Sequence, residues 1–166
     1  MKLKKRMSKK RIKYSALSYV SNADIENEKT AFMLLIRSLS LDAFSGVTTH
    51  HMIEDKYSAY DFIFKARNGT IILDVKTVSN NFFAVGEEKI KRWNKIDAHK
   101  FILYLDVETK SRITLKNITN VDFSRMRKRV NRSGGVYYDL RRIPSTDLDD
   151  FERLIYSPTT EKFWGI

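Results

Sequence analysis

The chain of 166 residues contains no cysteine. Disulfides, thiolate zinc sites and cysteine nucleophiles are therefore excluded, and a reducing compartment suits it. Proline is almost as scarce, with two residues, Pro144 and Pro158, and glycine numbers six. No Pro/Gly-rich linker divides the chain, no glycine-rich phosphate loop is present, and Gly134-Gly135 reads as a lone turn. Nothing approaches the length of a membrane span, and the segment from Lys2 onward is charged where a secretory leader needs an apolar stretch. No Ser-His-Asp order and no internal repeat stands out. These absences lead to the expectation of a cytoplasmic protein without a membrane partner.

Hydrophobic residues make up 42% of the chain, enough for the core of one domain and too many for wholesale disorder. Lys and Arg number 31 against 20 Asp and Glu, a net charge of +11. Such an excess implies a polyanionic partner, most often nucleic acid. Its distribution is uneven. Lys2, Lys4, Lys5, Arg6, Lys9, Lys10, Arg11 and Lys13 carry most of it, so residues 1–14 read as a flexible basic arm, binding DNA or merely solubilising. Residues 15–166 form the folded body, which is only mildly basic and keeps its acids. A protein that coats nucleic acid gains nothing from carboxylates near the phosphates, whereas a metal-dependent nuclease requires a few.

Hydrophobic spacing divides this body. Residues 23–40 read as a helix capped by Asn22 or Asp24, because Ala31, Phe32, Leu35, Ile36 and Leu39 recur every three or four positions. Weak strand character runs through 47–53. Residues 60–66 and 70–76 are strong strand candidates joined by Asn68-Gly69, a favoured hairpin centre. Residues 87–97 read as a helix with Ile90, Trp93 and Ile96 inward and Lys89, Lys91, Arg92 and Lys95 outward. A central strand at 100–107 and an edge strand at 111–117 come next. Residues 123–131 suggest a short basic helix, Val136, Tyr138 and Leu140 a late strand, and 147–155 an acidic helix capped by Ser145. The order α-β-β-β-α-β plus smaller elements predicts a mixed α/β or α+β domain around one sheet.

The hairpin allows a geometric deduction. With Asn68-Gly69 as a two-residue loop, Arg67 faces Thr70, Ile63 faces Asp74 and Asp61 faces Lys76. Alternation puts Asp61, Ile63, Lys65, Ile72, Asp74 and Lys76 on one face and Phe62, Phe64, Ala66, Ile71, Leu73 and Val75 on the other. The second face is wholly apolar and belongs in a core. The first, read as the non-core side, gathers two carboxylates and an ammonium within roughly 5–8 Å. Two carboxylates so spaced can share one hard divalent cation such as Mg2+, with the Val75 carbonyl as a further ligand. Such an ion polarises a phosphodiester oxygen and acidifies water, and Lys76 can orient that water or stabilise charge on phosphorus. A plain surface ion pair accounts for the same residues. Against it, Ile71-Ile72-Leu73-Asp74 is too apolar for an edge, and Thr77-Val78-Ser79-Asn80-Asn81 follows with Ser79 and Asn80 suited to phosphate oxygens.

Asp61, followed after twelve residues by Asp74-Val75-Lys76, resembles the signature of the PD-(D/E)XK nuclease superfamily, with Tyr60 where that signature has proline. The resemblance covers residues 21–107 and is closest in pattern to archaeal Holliday-junction resolvases, continuing through Phe83-Ala84-Val85-Gly86 and the helix after it. It implies a restriction-endonuclease-like fold, a central mixed sheet flanked by helices. It also implies Mg2+-dependent hydrolysis of DNA, branched or duplex, with Mn2+ able to substitute. Members often aim a glutamate of the first helix at the metal, for which Glu26 and Glu28 are the candidates. Counted from Glu28, the apolar residues of that helix fall at +3, +4, +7, +8 and +11, the start of its buried face; from Glu26, +3 and +4 are Lys29 and Thr30. Glu28 is therefore preferred, beside Asp61, Asp74 and the Val75 carbonyl as ligands and Lys76 as the catalytic ammonium. Lys89 and Arg92 would reach the scissile phosphate or the backbone beside it. Sequence-specific homing or restriction-type cleavage is the alternative to junction selectivity, and a non-catalytic nucleic-acid-binding protein is the rival outside the class.

Arg125, Arg127, Lys128, Arg129, Arg132, Arg141 and Arg142, with Tyr137 and Tyr138 among them, form a second basic cluster that reads as a nucleic-acid backbone contact. It lies in residues 108–166, an extension to the 21–107 core, where Phe163 and Trp164 suggest a packing latch or dimer contact. Cutting two strands generally takes two active sites, so a homodimer is expected. His50, His51 and Glu54 look like metal ligands, but adjacent strand residues point to opposite faces. A structural role is expected of them and of His99.

Overall fold

The segment Ile71-Ile72-Leu73 has no polar side to offer water, and the fold exposes neither side of it. In the computed structural model, which describes residues 22–39, 47–49 and 60–155, the segment belongs to β3 (Thr70–Val78), the middle strand of a five-stranded sheet. The others are β1 (Val47–Thr49), β2 (Phe62–Lys65), β5 (His99–Asp106) and β6 (Ile113–Asn117), in the order β1-β2-β3-β5-β6. β3 and β5 run parallel; the remaining neighbours are antiparallel. Parallel neighbours need a crossover, and such strands are buried on both faces. The crossover here passes through β4 (Ala84–Gly86) and α2 (Glu87–Trp93). The arm, His50, His51, Glu54, Phe163 and Trp164 lie outside the described residues.

Each face of the sheet closes its own core. Ile71 and Leu73 of β3, with Phe101, Leu103 and Leu105 of β5, join Ala31 and Leu35 of α1 (Asn22–Ser38) and Phe151 of α3 (Leu148–Leu154). The three- and four-residue apolar spacing of α1 does what it predicts: Ala31, Leu35, Ile36 and Leu39 are buried, and Phe32 stacks on Phe62 with ring centroids 4.1 Å apart. On the opposite face, Ile72, Ile102 and Tyr104 meet Ile90 and Trp93 of α2 and Val85, Tyr138 and Leu140.

The domain is mixed α+β, as expected, but it contains two sheets. β7 (Lys128–Val130) and β8 (Val136–Asp139) join β4 in a three-stranded sheet of order β4-β8-β7. The expected basic helix at 123–131 is instead a 3-10 turn, Phe123–Arg125, followed by β7. A helix there would stack Arg125 over Arg129, like charges one turn apart; as a strand the segment satisfies the backbone of β8. The expected helix 87–97 ends at Trp93, where the Asn94 N–H closes the last turn. Asp147, rather than Ser145, caps α3, its side chain accepting from Asp149 N–H at 3.1 Å; Ser145 bridges to Lys116.

The hairpin register also departs from expectation. Lys65 pairs with Thr70 and Ile63 with Ile72, and the Ala66 N–H donates to the Gly69 carbonyl at 3.0 Å. The turn is centred on Arg67-Asn68. Gly69 is left-handed, φ 91°, and Asn68 is not; a type I′ turn on Asn68-Gly69 would need both to be. Pairing is displaced by two residues, an even number, so every paired side chain keeps its assigned face. The pairing ends at Phe62 and Leu73, so Asp61 does not stand opposite Lys76. The face that carries Ile72 and Asp74 is not a solvent face: they are 1% and 3% exposed.

Phe151 ties α3 to the sheet, edge-on to Phe101 at 4.9 Å and Phe64 at 5.5 Å. Phe151→Ala should lower the unfolding free energy by about 3–5 kcal/mol. Met33→Ala, at a residue 45% exposed, should change it by less than about 0.5 kcal/mol. Denaturant titration followed by circular dichroism measures both.

Candidate active site

Asp74 occupies the α2 side of β3, next to Ile72 on the same face. A carboxylate buried to this degree is costly unless paired. Two lysines pair with it. Lys89 Nζ, from α2, donates to Asp74 Oδ1 at 2.7 Å, and Lys76 Nζ lies 3.4 Å from Oδ2. Lys76 is two residues further along the strand and so on the same face. Lys89 was expected to point outward. It turns inward because it is one helical turn before the buried Trp93, and its ammonium stands 5.8 Å from that ring's centroid.

Asp61 arrives from β2 through a local irregularity. Phe62 is the partner of Leu73, yet the Asp61 N–H also reaches the Leu73 carbonyl, at 3.0 Å. Two residues thus meet one, as at a β-bulge, which re-aims a side chain. Beyond Phe62 the β2–β3 pairing stops, and the Val75 N–H donates to Asp61 Oδ2 at 2.7 Å. The Val75 carbonyl faces the same edge of β3 as its N–H.

The two carboxylates titrate as a pair. Burial, then the charges of Asp74 and Glu28, push the Asp61 pKa up to about 9 against the opposing Val75 N–H and Lys89. For Asp74, burial also acts upward, but Lys89 and Lys76, with hydrogen bonds from Lys89 and Asp61, outweigh it and hold the group below its ordinary value. The acidities of the two groups are thus driven apart, Asp61 upward and Asp74 downward, the outcome expected when two carboxylates share a dry site.

Glu28 is half-buried and Glu26 exposed, and the Glu28 charge acts on Asp61. Among the described residues, no three Asp, Glu or His side chains form a ready-made cation cage. The donor set nevertheless fits a hard divalent ion: Mg2+ uses one or two carboxylates and retains several waters.

Other expected residues lie farther off. Ser79 and Asn80 follow the end of β3, and Asn80 lines a separate polar cavity of 170 Å³ with Asp106, Glu108 and Arg112. Asp74 is four residues from the last residue of β3, roughly 13 Å of strand. Arg92 is exposed on α2. Arg125 ends the 3-10 turn, Arg127 follows it, and Lys128 and Arg129 open β7, all four exposed. The signal for Lys89 was present in its spacing to Ile90 and Trp93; a rule that sends charges outward hid it. His99, expected to be structural, has Nε2 3.0 Å from the Asn68 carbonyl and braces the hairpin turn. No helix among the described residues is long and apolar enough to cross a membrane.

No protein-family model matches the chain, and no curated protein sequence does.

An acid whose pKa rises from 3.8 to about 9 on folding keeps a proton that the unfolded chain gives up. Its contribution to stability is therefore lost as pH climbs between those values. Asp61→Asn keeps an acceptor for Val75 and a donor for Asp74. At pH 8 it should be more stable than the parent by at least about 1.4 kcal/mol, the equivalent of one pKa unit. The gain should fade toward pH 4, as thermal melts across pH will show.

Proposed function

We propose that the chain is a divalent-cation-dependent DNA endonuclease hydrolysing phosphodiester bonds, with a restriction-endonuclease-like core and selectivity for four-way junctions. The supporting observation is the buried Asp74, paired with Lys76 and Lys89, with the half-buried Asp61 held on the neighbouring Val75 N–H. Asp61, Asp74, the Val75 carbonyl and Glu28 would hold Mg2+ or Mn2+. Such an ion supplies Lewis-acid polarisation of a phosphodiester oxygen and an acidified water.

The chain's own groups divide the remaining work. Lys76, with its side chain 31% exposed, is the ammonium that can turn from Asp74 toward charge growing on phosphorus. Lys89, 17% exposed and in direct contact with Asp74, holds that carboxylate ionised and fixes its rotamer. The Val75 N–H orients Asp61. The apolar wall of Ile72, Ile102 and Trp93 keeps the dielectric low, which strengthens each of these interactions. Arg125, Arg127, Lys128 and Arg129 bind backbone phosphates, with the N-terminal arm as a further contact. Two copies, paired through the C-terminal region, would cut two strands of an intracellular, cytoplasmic substrate. The same site would serve a homing or restriction-type enzyme, and substrate choice decides between them. A non-catalytic nucleic-acid binder is favoured by one contact: Lys89 already neutralises Asp74 at 2.7 Å.

Supercoiled plasmid, linear duplex and a four-way junction, each incubated with Mg2+ or EDTA, test this proposal. Cleavage should require Mg2+ and fall at least about 100-fold in Asp74→Ala and Lys76→Ala. Asp74→Ala cleaving as fast as the parent would remove the site from the chemistry. Binding without cleavage under every condition would favour the non-catalytic protein.

A further inference from the structure

β7 is the outer strand of the β7–β8 hairpin, whose β8 is anchored by the buried Tyr138. All three residues of β7 are exposed, and among the described residues its sole strand partner is β8. At its end the Asn131 carboxamide oxygen accepts from the Gly135 N–H at 2.7 Å and from Ser133 Oγ at 2.8 Å. Gly134, at φ 85°, completes the turn. A Cβ on Gly135 would lie 2.9 Å from the Asn131 side chain, so the tip is set by its own residues and needs no ordering on contact.

What the tip displays is chemically mixed. Val130 is 67% exposed, a large hydrophobe left in water between Arg129 and Asn131. Arg132, at the turn, is exposed and makes no ion pair among the described residues. Arg129 lies 5.7 Å from the Phe82 ring centroid, and Phe82 stands edge-on to Tyr137 at 5.5 Å. An edge strand can also pair with a second copy of itself, but Lys128 and Arg129 would then meet their own like charges. Charge therefore points to a polyanion, and the exposed valine points past its phosphates to base edges.

We infer that the β7–β8 hairpin is a wing that enters the major groove of duplex DNA, with Arg132 and Val130 at the base edges. The inference rests on the proposal that DNA is the substrate. A two-stranded ribbon fits the major groove, about 12 Å wide, where Arg recognises guanine O6 and N7 and apolar groups meet the thymine methyl. The wing is joined to the candidate site by one short path. Lys128 Nζ contacts Glu87 Oε2 at 2.7 Å, Glu87 opens α2, and Lys89 two residues later holds Asp74. A duplex seated on the wing is thereby indexed against the carboxylates.

The test is anisotropy of a labelled duplex titrated with full-length protein in EDTA, where chemistry is silent. Arg132→Ala and Val130→Ser should each weaken binding, the former by about tenfold, with unchanged melting temperatures. Arg153→Ala, on α3 across the main sheet, should leave binding unaltered. Methylating guanine N7 should interfere with parent binding and not with Arg132→Ala. Full affinity in both wing variants overturns the wing, as does interference confined to adenine N3, the mark of a minor-groove contact. A dimer lost in Val130→Ser with DNA binding intact assigns the edge to a second copy and also overturns it. If duplex binds the wing as described but Mg2+ brings no cleavage, the wing stands and the nuclease proposal fails.

Discussion

One buried charge constrains the centre of this molecule. Asp74 is ionised inside a sheet that is covered on both faces, and each neighbouring element helps make that tolerable. Lys89 requires α2 to cross the sheet at this level. Tyr104, one strand over, donates its hydroxyl to the Ala84 carbonyl at 2.7 Å and so fixes β4, from which α2 springs. Lys76 needs β3 to continue beyond the hairpin. Asp61 requires β2 to bulge and stop. Removing both lysines would leave a carboxylate uncompensated in a dry site, which is far more damaging than never having placed it there.

The second sheet is attached to this centre by a similar device. Lys116 is 3% exposed, donates to the Ile143 carbonyl at 2.6 Å and lies 4.6 Å from the Phe83 ring centroid. Burial depresses its pKa, while Asp139 opposes the shift. A cation held by a carbonyl, a ring and a distant carboxylate links β6 of the main sheet to the segment after β8. The parallel step from β3 to β5 thus carries both the site-forming helix and the platform for the basic hairpin.

Much of this was legible in the chain because period and parity are robust. The apolar spacing of α1 comes from the helical period, and the strands around Asp61 and Asp74 from side-chain alternation. Alternation also survives the error in turn position, since moving the turn by one residue shifts the pairing by two. Burial of the charged face was not legible. Asp74 reads as polar, and only the later residues of β4, α2 and β8 cover its face. The small sheet escaped for a related reason: Lys128-Arg129-Val130 has no apolar alternation, and only its pairing with Val136, Tyr137 and Tyr138 makes it a strand.

The central claim is that Asp61 and Asp74 jointly hold one hard cation. Crystals grown with Mn2+ and measured at the manganese edge test it most directly. The account predicts one anomalous peak bonded to an oxygen of each carboxylate, at about 2.0–2.2 Å as for a small hard dication, with Lys89 swung away from Asp74 Oδ1. A fully occupied peak elsewhere, or none while Lys89 keeps its place, would contradict it.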